Sequence, residues 1–328
     1  MSIVRIGTLG CARITPQALI RPAKENDTVQ VTAVASRDCT KAEAFAKKHG
    51  IPTVHKDYEA LIQDPDIDAI YNPLPNSLHA EWSIRALRAG KHVLCEKPMA
   101  SNAIEAEEMN RVATEEGKVL MEAFHWRYHP LAERCIELLK TNTIGDVSRI
   151  EASFCIPLPF PNDIRYNPDL GGGALMDTGC YTVSILRHLM REEPSVVSAM
   201  AKTSSPTIDR FMEADLKFPS GTTGHIRCSL WGWPLVAVSA KVVGSLGSIK
   251  MVNPVVPHMI YHHLKIDSPT IKGTERFWGQ STYDCQLRKF VDGIQHGVQI
   301  VTNSTDAVLN MKVIDEIYVN AGMAPRGQ

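Results

Sequence analysis

The stretch VRIGTLGCARIT, Val4–Thr15, decides the fold of the first part of this chain. It opens with a short, mainly apolar run that ends at Leu9 and passes directly into Gly10. Thr15 and Pro16 then suit the start of a helix, because proline at the first helical position loses no hydrogen bond. A strand, a tight turn and a helix in this order predict the start of an α/β domain.

The same alternation continues to about residue 123. Helix-length segments separate short apolar runs, which are Val4–Leu9, Val31–Ala35, Ala69–Asn72, Val93–Cys95 and Val119–Met121. Runs that are apolar throughout are typical of strands buried on both faces of a parallel sheet. The sequence therefore predicts an α/β domain over residues 1–123, with a parallel sheet between helices.

From residue 124 to 328 the pattern is different. Runs with β-branched alternation, such as Val236–Val243 and Ser248–Val252, predict an open antiparallel or mixed sheet. Helices are expected over residues 174–190, 286–295 and 305–320. Because an open sheet leaves a face or edges exposed, we expect a homodimer or larger homo-oligomer formed through this second domain.

The composition disfavours several classes of protein. The 328 residues hold 35 Lys and Arg against 36 Asp and Glu, so no basic excess is available for binding a nucleic acid or an acidic membrane. We expect neither a signal peptide nor a membrane span. The eight cysteines form no CxxC pair, which indicates a reduced, cytoplasmic protein, and no His and Cys spacing suits zinc, so no metal is expected.

The turn after the first strand predicts a dinucleotide site. Compared with the pattern GxGxxG, the small positions are Gly10, Ala12 and Thr15, and Arg13 and Ile14 complete the turn. Small residues let the backbone approach a pyrophosphate at the start of the next helix. The alternative is that the glycines only form a turn.

The segment VASRD, residues 34–38, bears on the choice of dinucleotide. A hydroxyl at Ser36 and a guanidinium at Arg37 suit the 2′-phosphate of NADP, because the planar guanidinium donates paired hydrogen bonds to phosphate. The sequence therefore favours NADP over NAD. In the alternative, Arg37 is a solvated surface residue and Asp38 binds the ribose.

Two later strand ends extend this candidate site. YNPLPNSLH, residues 71–79, forms a rigid turn where ligands bind in such sheets, and we expect cofactor contacts from Leu74, Pro75, Asn76 and His79. CEKP, residues 95–98, adds Glu96 and Lys97 at the end of a buried strand. Alternatively, Lys97 is only a surface charge.

Farther along, Asp177 and Tyr181 are four residues apart, so in a helix they share a face and can point at one ligand. The glycines over residues 171–173 would let the backbone approach a substrate. Equally, Tyr181 suits a half-buried core tyrosine and Asp177 an early-turn carboxylate. Cys180 is interpreted as a core cysteine.

Together these motifs resemble the family of glucose–fructose oxidoreductase and inositol dehydrogenase. The segments that carry the resemblance are GTLGCARI, VASRD, YNPLPNSLHAEW, AGKHVLCEKP and GGGALMDTGCY, within residues 3–190. It is strongest to the branch of dimeric dihydrodiol dehydrogenase, NADP-dependent D-xylose dehydrogenase and sugar 3-ketoreductase. The resemblance implies a Rossmann domain followed by an α+β domain with an open, mostly antiparallel sheet.

The resemblance also implies roles for particular residues. Lys97 would approach the nicotinamide ribose and the substrate, often beside a cis bond to Pro98, and Arg127 would lie at the cofactor cleft. Tyr181 replaces the histidine that serves as the proton-transfer group in many relatives. His125 and Trp126 suit either this region or hinge packing. Phe277, Trp278 and Tyr283 suit either a sugar pocket or the core.

The sequence is thus interpreted as an NADP-dependent oxidoreductase that transfers a hydride between nicotinamide and a carbinol or carbonyl carbon of a sugar or polyol. Lys97, Tyr181 and Asp177 are its candidate catalytic residues. One alternative is a trans-dihydrodiol dehydrogenase acting on cyclic diols. Another is a non-catalytic regulatory protein that senses NAD(P).

Overall fold

The protein is described here by a computed structural model, which describes residues 3–259 and 261–328. The chain divides into two compact units. The first runs up to Phe124 and also takes in Tyr283–Val308, whereas the second comprises His125–Thr282 and Leu309–Gln328. The sequence predicted one boundary, near residue 123, and did not anticipate the return of residues 283–308 to the first unit.

Strands and helices follow the chain in this order. The strands are β1 Val4–Leu9, β2 Val29–Ala35, β3 Thr53–His55, β4 Ala69–Asn72, β5 His92–Cys95, β6 Leu120–Glu122, β7 Val147–Cys155, β8 Ser195–Ser205, β9 Ile208–Lys217, β10 Thr223–Ser229, β11 Ala237–Gly244, β12 Gly247–Val252, β13 His263–Asp267 and β14 Lys272–Glu275. The α-helices are α1 Arg21–Lys24, α2 Cys39–His49, α3 Tyr58–Ile62, α4 His79–Arg88, α5 Ala103–Glu115, α6 Pro130–Lys140, α7 Cys180–Met190, α8 Thr282–His296 and α9 Ser304–Asn320. In the part of the chain that the structure describes, no helix is long and apolar enough to cross a membrane.

Within those residues, the first unit is built on a six-stranded sheet in the order β3-β2-β1-β4-β5-β6, with every pair parallel. Ile6, Val34 and Val93 are fully buried on its strands, as continuous apolar runs predict. The strand order reverses between β1 and β4, where ligands bind at the carboxyl ends of such sheets. The predicted Rossmann architecture is confirmed. The sequence did not predict β3, because this short, mostly exposed strand has no apolar run.

The second unit contains a sheet in the order β14-β13-β12-β11-β7-β10-β9-β8. Its pairs are antiparallel except for β7 with β10. α7 packs against β7 and β10, where Ile150, Ala152 and Ile226 are buried. The predicted open, mostly antiparallel sheet is therefore confirmed.

Residues 283–308 join the first unit through backbone contacts at the end of its sheet. The Glu122 N–H donates to the Thr302 carbonyl at 2.8 Å, and Met121 forms an isolated antiparallel bridge with Asn303. The Ser304 hydroxyl adds a bond of 2.7 Å to Asn110 on α5. Such contacts between distant residues have no local signal in the sequence.

Candidate functional site

The predicted phosphate turn has the backbone that its sequence requires. Gly10 has φ of +75°, and its N–H donates to the Ala35 carbonyl on β2 at 2.7 Å. A Cβ at this position would lie 3.3 Å from the Leu74 side chain and would also require an unfavourable φ. The following turn contains Ala12, Arg13 and Ile14 and leads into a helical segment whose first bonds end on the Ile14 carbonyl.

At the end of β2 the structure distinguishes Asp38 from Ser36 and Arg37, the alternative candidates for binding the ribose or its 2′-phosphate. The Asp38 carboxylate accepts the Lys41 N–H at 3.1 Å and caps the start of α2. Ser36 is nearly buried, whereas Arg37 is exposed and lies beside the Tyr58 hydroxyl. Because Asp38 already stabilises a helix, Ser36 and Arg37 are the better candidates for gripping a 2′-phosphate.

His79 connects two of the predicted cofactor loops from inside the unit. Its Nε2 lies 2.7 Å from the Leu74 carbonyl, and its Nδ1 lies 2.9 Å from the Pro98 carbonyl. The ring is fully buried, and burial, with a smaller effect from the Lys97 charge, lowers the pKa of His79 to about 4. The side chain holds the loop of Leu74, Pro75 and Asn76 beside that of Lys97, while its direct contact with a cofactor stays a prediction.

Lys97 lies on a loop that hydrogen bonds from buried side chains hold in place. The Tyr71 hydroxyl donates to Glu96 Oε1 at 2.7 Å, and the buried Glu122 carboxylate accepts the Met99 N–H at 2.8 Å. Burial and the nearby Glu96 charge raise the pKa of Tyr71 well above its usual value, so this phenol stays protonated. Lys97 itself is half-buried, and its bond to Pro98 is cis, as the resemblance implied.

In the second unit, Asp177 belongs to a π-helical turn, Leu175–Gly179, that leads into α7. Such turns are frequent at functional sites. Its carboxylate accepts a hydrogen bond from Arg165 Nε at 2.7 Å, and Arg165 also pairs with Asp163 at 3.1 Å. The Asp177 charge raises the pKa of Arg165. Sequence reasoning missed Arg165, because no motif marks the loop in which it lies.

Tyr181 is nearly buried at 6 % exposure, and its hydroxyl lies 3.2 Å from His125 Nε2. Its ring packs edge-to-face on Phe154, with centroids 5.5 Å apart. His125 Nδ1 is in turn 2.8 Å from the Thr282 hydroxyl. Tyr181 therefore combines the packing of a core tyrosine with a hydroxyl in a polar chain, and His125 contributes a hydrogen bond as well as packing.

The glycines before α7 pack closely against the loop that carries Arg165. A Cβ on Gly172 would lie 2.6 Å from the Arg165 carbonyl oxygen, and the Gly173 N–H donates to that same oxygen at 2.8 Å. Gly172 and Gly173 therefore let the Arg165 loop pack closely, which positions the partner of Asp177. That residues 171–173 also let a substrate approach the backbone stays a prediction.

Arg127 is buried within the second unit, near His188. Burial, with added repulsion from Arg127, lowers the pKa of His188 to about 3, and the ring lies edge-on to Trp126 at 5.4 Å. The proposed contact of Arg127 with a cofactor stays a prediction.

The remaining candidates divide by burial. Cys180 is fully buried, which confirms it as a core cysteine, whereas Trp278 is 79 % exposed and is not a core residue. Tyr283 is buried in the first unit, and Phe277 is half-buried in the second. Among residues 3–259 and 261–328, no group of His, Cys, Asp and Glu is placed to hold a metal ion.

Comparison with known families gives the class of the protein. Residues 4–124 match the oxidoreductase family with an NAD-binding Rossmann fold, and residues 133–250 match the GFO/IDH/MocA C-terminal domain. The chain belongs to the GFO/IDH/MocA oxidoreductase family. The predicted family and the prediction of an oxidoreductase are both confirmed.

Individual proteins of similar sequence or structure add detail to the family assignment. The chain is 35 % identical over 318 residues to D-xylose 1-dehydrogenase (NADP(+)) 2 of Haloferax volcanii, with 96 % of each chain covered. It is 38 % identical over 191 residues to trans-1,2-dihydrobenzene-1,2-diol dehydrogenase of Xenopus tropicalis, covering 58 % of this chain and 57 % of that one. The crystal structure of KijD10, a 3-ketoreductase from Actinomadura kijaniata, in complex with NADP and TDP-benzene, superimposes with a TM-score of 0.89 at 30 % identity, covering 97 % and 98 % of the two chains.

Proposed function

We propose that this protein is an NADP-dependent oxidoreductase that interconverts a secondary alcohol and a ketone, or a lactol and a lactone, on a sugar-like substrate. The observation that carries the proposal is Tyr181, whose hydroxyl is held in a buried hydrogen-bonded chain at the start of α7. A hydroxyl in such a setting can exchange a proton with a reacting oxygen.

The relatives support a joint role for Lys97 and Tyr181. Solved structures of the 3-ketoreductase include variants with a tyrosine replaced by phenylalanine and a lysine replaced by alanine or glutamate. Those two residues are separated by 84 positions, as are Lys97 and Tyr181 in this chain. We infer that this lysine and tyrosine act on one substrate.

The cofactor is proposed to be NADP. Asp38 is engaged as a helix cap, which leaves Ser36 and Arg37 for the 2′-phosphate, and the D-xylose dehydrogenase relative is named for NADP(+). Gly10, whose backbone excludes a side chain, would lie against the pyrophosphate. When bound, the nicotinamide accepts or supplies the hydride.

Each candidate residue then has a distinct task. Lys97 would orient the substrate oxygen and favour the phenolate form of Tyr181 through its charge. Tyr181 would exchange the proton. The ion pair of Asp177 with Arg165 would hold a neighbouring hydroxyl, since the carboxylate accepts hydrogen bonds and the guanidinium donates them.

A cyclic trans-diol is the second candidate substrate. It is favoured by the similarity to the dihydrodiol dehydrogenase and by Phe154, which packs beside Tyr181 and offers an apolar surface.

All eight cysteines are free thiols, and we propose a reducing, cytoplasmic environment on that basis.

Nicotinamide absorbance tests the proposal directly. The enzyme would be mixed with NADP⁺ or NADPH and a panel of aldoses, keto-sugars, polyols and trans-diols. We expect turnover with at least one member and a preference for NADP over NAD. Tight NADP binding without turnover of any panel member would contradict the proposal and favour a nucleotide-sensing regulator.

A further inference from the structure

A chain of hydrogen bonds leads from Tyr181 through the second unit. The Tyr181 hydroxyl lies 3.2 Å from His125 Nε2, and His125 Nδ1 lies 2.8 Å from the Thr282 hydroxyl. The same hydroxyl lies 3.2 Å from Nδ1 of His258. Tyr181, His125 and Thr282 are buried, whereas His258 is partly exposed. The chain therefore runs from a buried phenol to a partly exposed histidine whose Nε2 is itself buried.

One backbone group favours a single direction for the bonds in this chain. The Thr282 N–H donates to His258 Nδ1 at 3.4 Å, so that nitrogen is an acceptor. The Thr282 hydroxyl then donates to the same nitrogen and accepts from His125 Nδ1–H. A neutral imidazole carries one N–H, so His125 Nε2 is the acceptor for the Tyr181 hydroxyl. All three donors point away from Tyr181.

We propose that His125 and Thr282 form a proton relay between Tyr181 and His258; the role of the relay rests on the proposed function. In the oxidation direction, the substrate hydroxyl gives its proton to Tyr181 while its carbon gives a hydride to NADP⁺. Tyr181 passes its own proton to His125 Nε2, His125 passes its Nδ1 proton to Thr282, and Thr282 passes its proton to His258 Nδ1. His258, whose Nε2 is buried, then holds the transferred proton as an imidazolium.

This arrangement would avoid the energetic cost of forming a phenolate at Tyr181. Its unperturbed pKa is about 10, so a free phenolate is scarce near neutral pH and costly in a buried position. If Tyr181 loses one proton as it gains another, no phenolate accumulates. His125 and Thr282 are thus positioning residues that act through Tyr181.

Other histidines surround the outer end of the chain. The His129 and His262 rings are 6.3 Å apart, and burial, with smaller effects from His262 and His258, lowers the pKa of His129 to about 4. His129 is therefore uncharged near neutral pH and does not oppose transient protonation of His258.

A matched pair of substitutions at Thr282 tests the relay in the whole enzyme. Thr282→Val removes the hydroxyl and keeps the shape, whereas Thr282→Ser keeps the hydroxyl. We expect Thr282→Val to lower kcat for alcohol oxidation about 10- to 100-fold, at the low end of general acid–base effects, with KM and NADP affinity unchanged. Thr282→Ser should stay within about twofold of the wild type. Equal kcat values for the two variants would overturn the relay.

The histidine tautomer gives a readout that does not depend on activity. In protein with ¹⁵N-labelled histidine, the signals lost in His125→Gln identify this ring. We expect His125 to carry its proton on Nδ1, and a proton on Nε2 would overturn the relay. A wild-type enzyme that turns over no panel substrate would instead overturn the proposed function, so the two failures are distinct.

Discussion

Arg37 is the residue whose charge we propose decides between the two dinucleotides. If it grips the 2′-phosphate, Arg37→Ala should weaken NADP binding by about 1.5 to 3 kcal/mol, or roughly 10- to 150-fold, and leave NAD binding nearly unchanged. Titration of both cofactors by calorimetry measures this. Arg21→Ala, which removes an exposed arginine from α1, is the matched control. Equal losses for NADP and NAD would refute the assignment.

Tyr181 is the residue on which the proposed chemistry depends. Tyr181→Phe keeps the ring against Phe154 and removes the group that exchanges a proton, so kcat should fall by about 10²- to 10⁴-fold while NADP affinity is retained. Steady-state kinetics with the active panel substrate and a cofactor titration measure both quantities. Tyr261→Phe makes the same chemical change at an exposed site and should have no effect. Near-normal turnover of Tyr181→Phe would return this tyrosine to a packing role.

At the scale of helices and strands, the sequence predicted the elements that carry a repeating local pattern of apolar residues. The apolar runs identified five of the strands of the parallel sheet, because strands buried on both faces must be apolar throughout. β3 escaped prediction because it is three residues long and mostly exposed. Asp38 illustrates a local pattern with two uses, since an acid at the end of β2 can bind ribose or cap α2.

The candidate site was predictable only where a motif is contiguous. Gly10, Lys97 and Tyr181 stand in recognisable segments, whereas His125 and Thr282 meet across 157 positions of sequence. Arg165 reaches Asp177 from a loop without a motif. Such pairs are created by tertiary packing, so no local pattern records them.

α7 also carries a histidine whose environment makes stability depend on pH. The pKa of His188 is about 3 in the folded state and 6.5 in its ordinary state, mainly because of burial. Between these values the unfolded chain binds the extra proton, so this residue's contribution is present above pH 6.5 and is lost as pH falls, at about 1.4 kcal/mol per pH unit.

His188→Phe should therefore reduce the loss of folding stability that occurs as the pH falls below 7. The ring against Trp126 is kept, but the titrating group is removed. Urea unfolding at pH 7 and pH 5 should show a larger loss of stability in the wild type than in the variant. The same loss in both proteins would show that His188 is not the group responsible.

At the scale of the whole molecule, we expect the open sheet of the second unit to be the surface for self-association. One row of side chains crosses six strands of this sheet in register, from β9 to β13: Asp215, His225, Glu151, Lys241, Lys250 and Lys265. One end is acidic and the other carries three neighbouring lysines. Like charges directly opposite each other destabilise a sheet unless something compensates them.

A second copy of the chain would supply that compensation under twofold symmetry. In an isologous interface the acidic end of one row meets the basic end of the other, which brings Asp215 opposite Lys265 of the other copy. We therefore expect a homodimer whose stability falls with salt, because exposed ion pairs are screened. Asp215→Lys and Lys265→Glu should each shift sedimentation towards the monomer, and the double variant should restore the dimer. Lys47→Glu, on the exposed face of α2, should leave the dimer intact. A wild-type monomer at micromolar concentration would exclude this assembly, and a dimer unaffected by either single reversal would place the interface elsewhere.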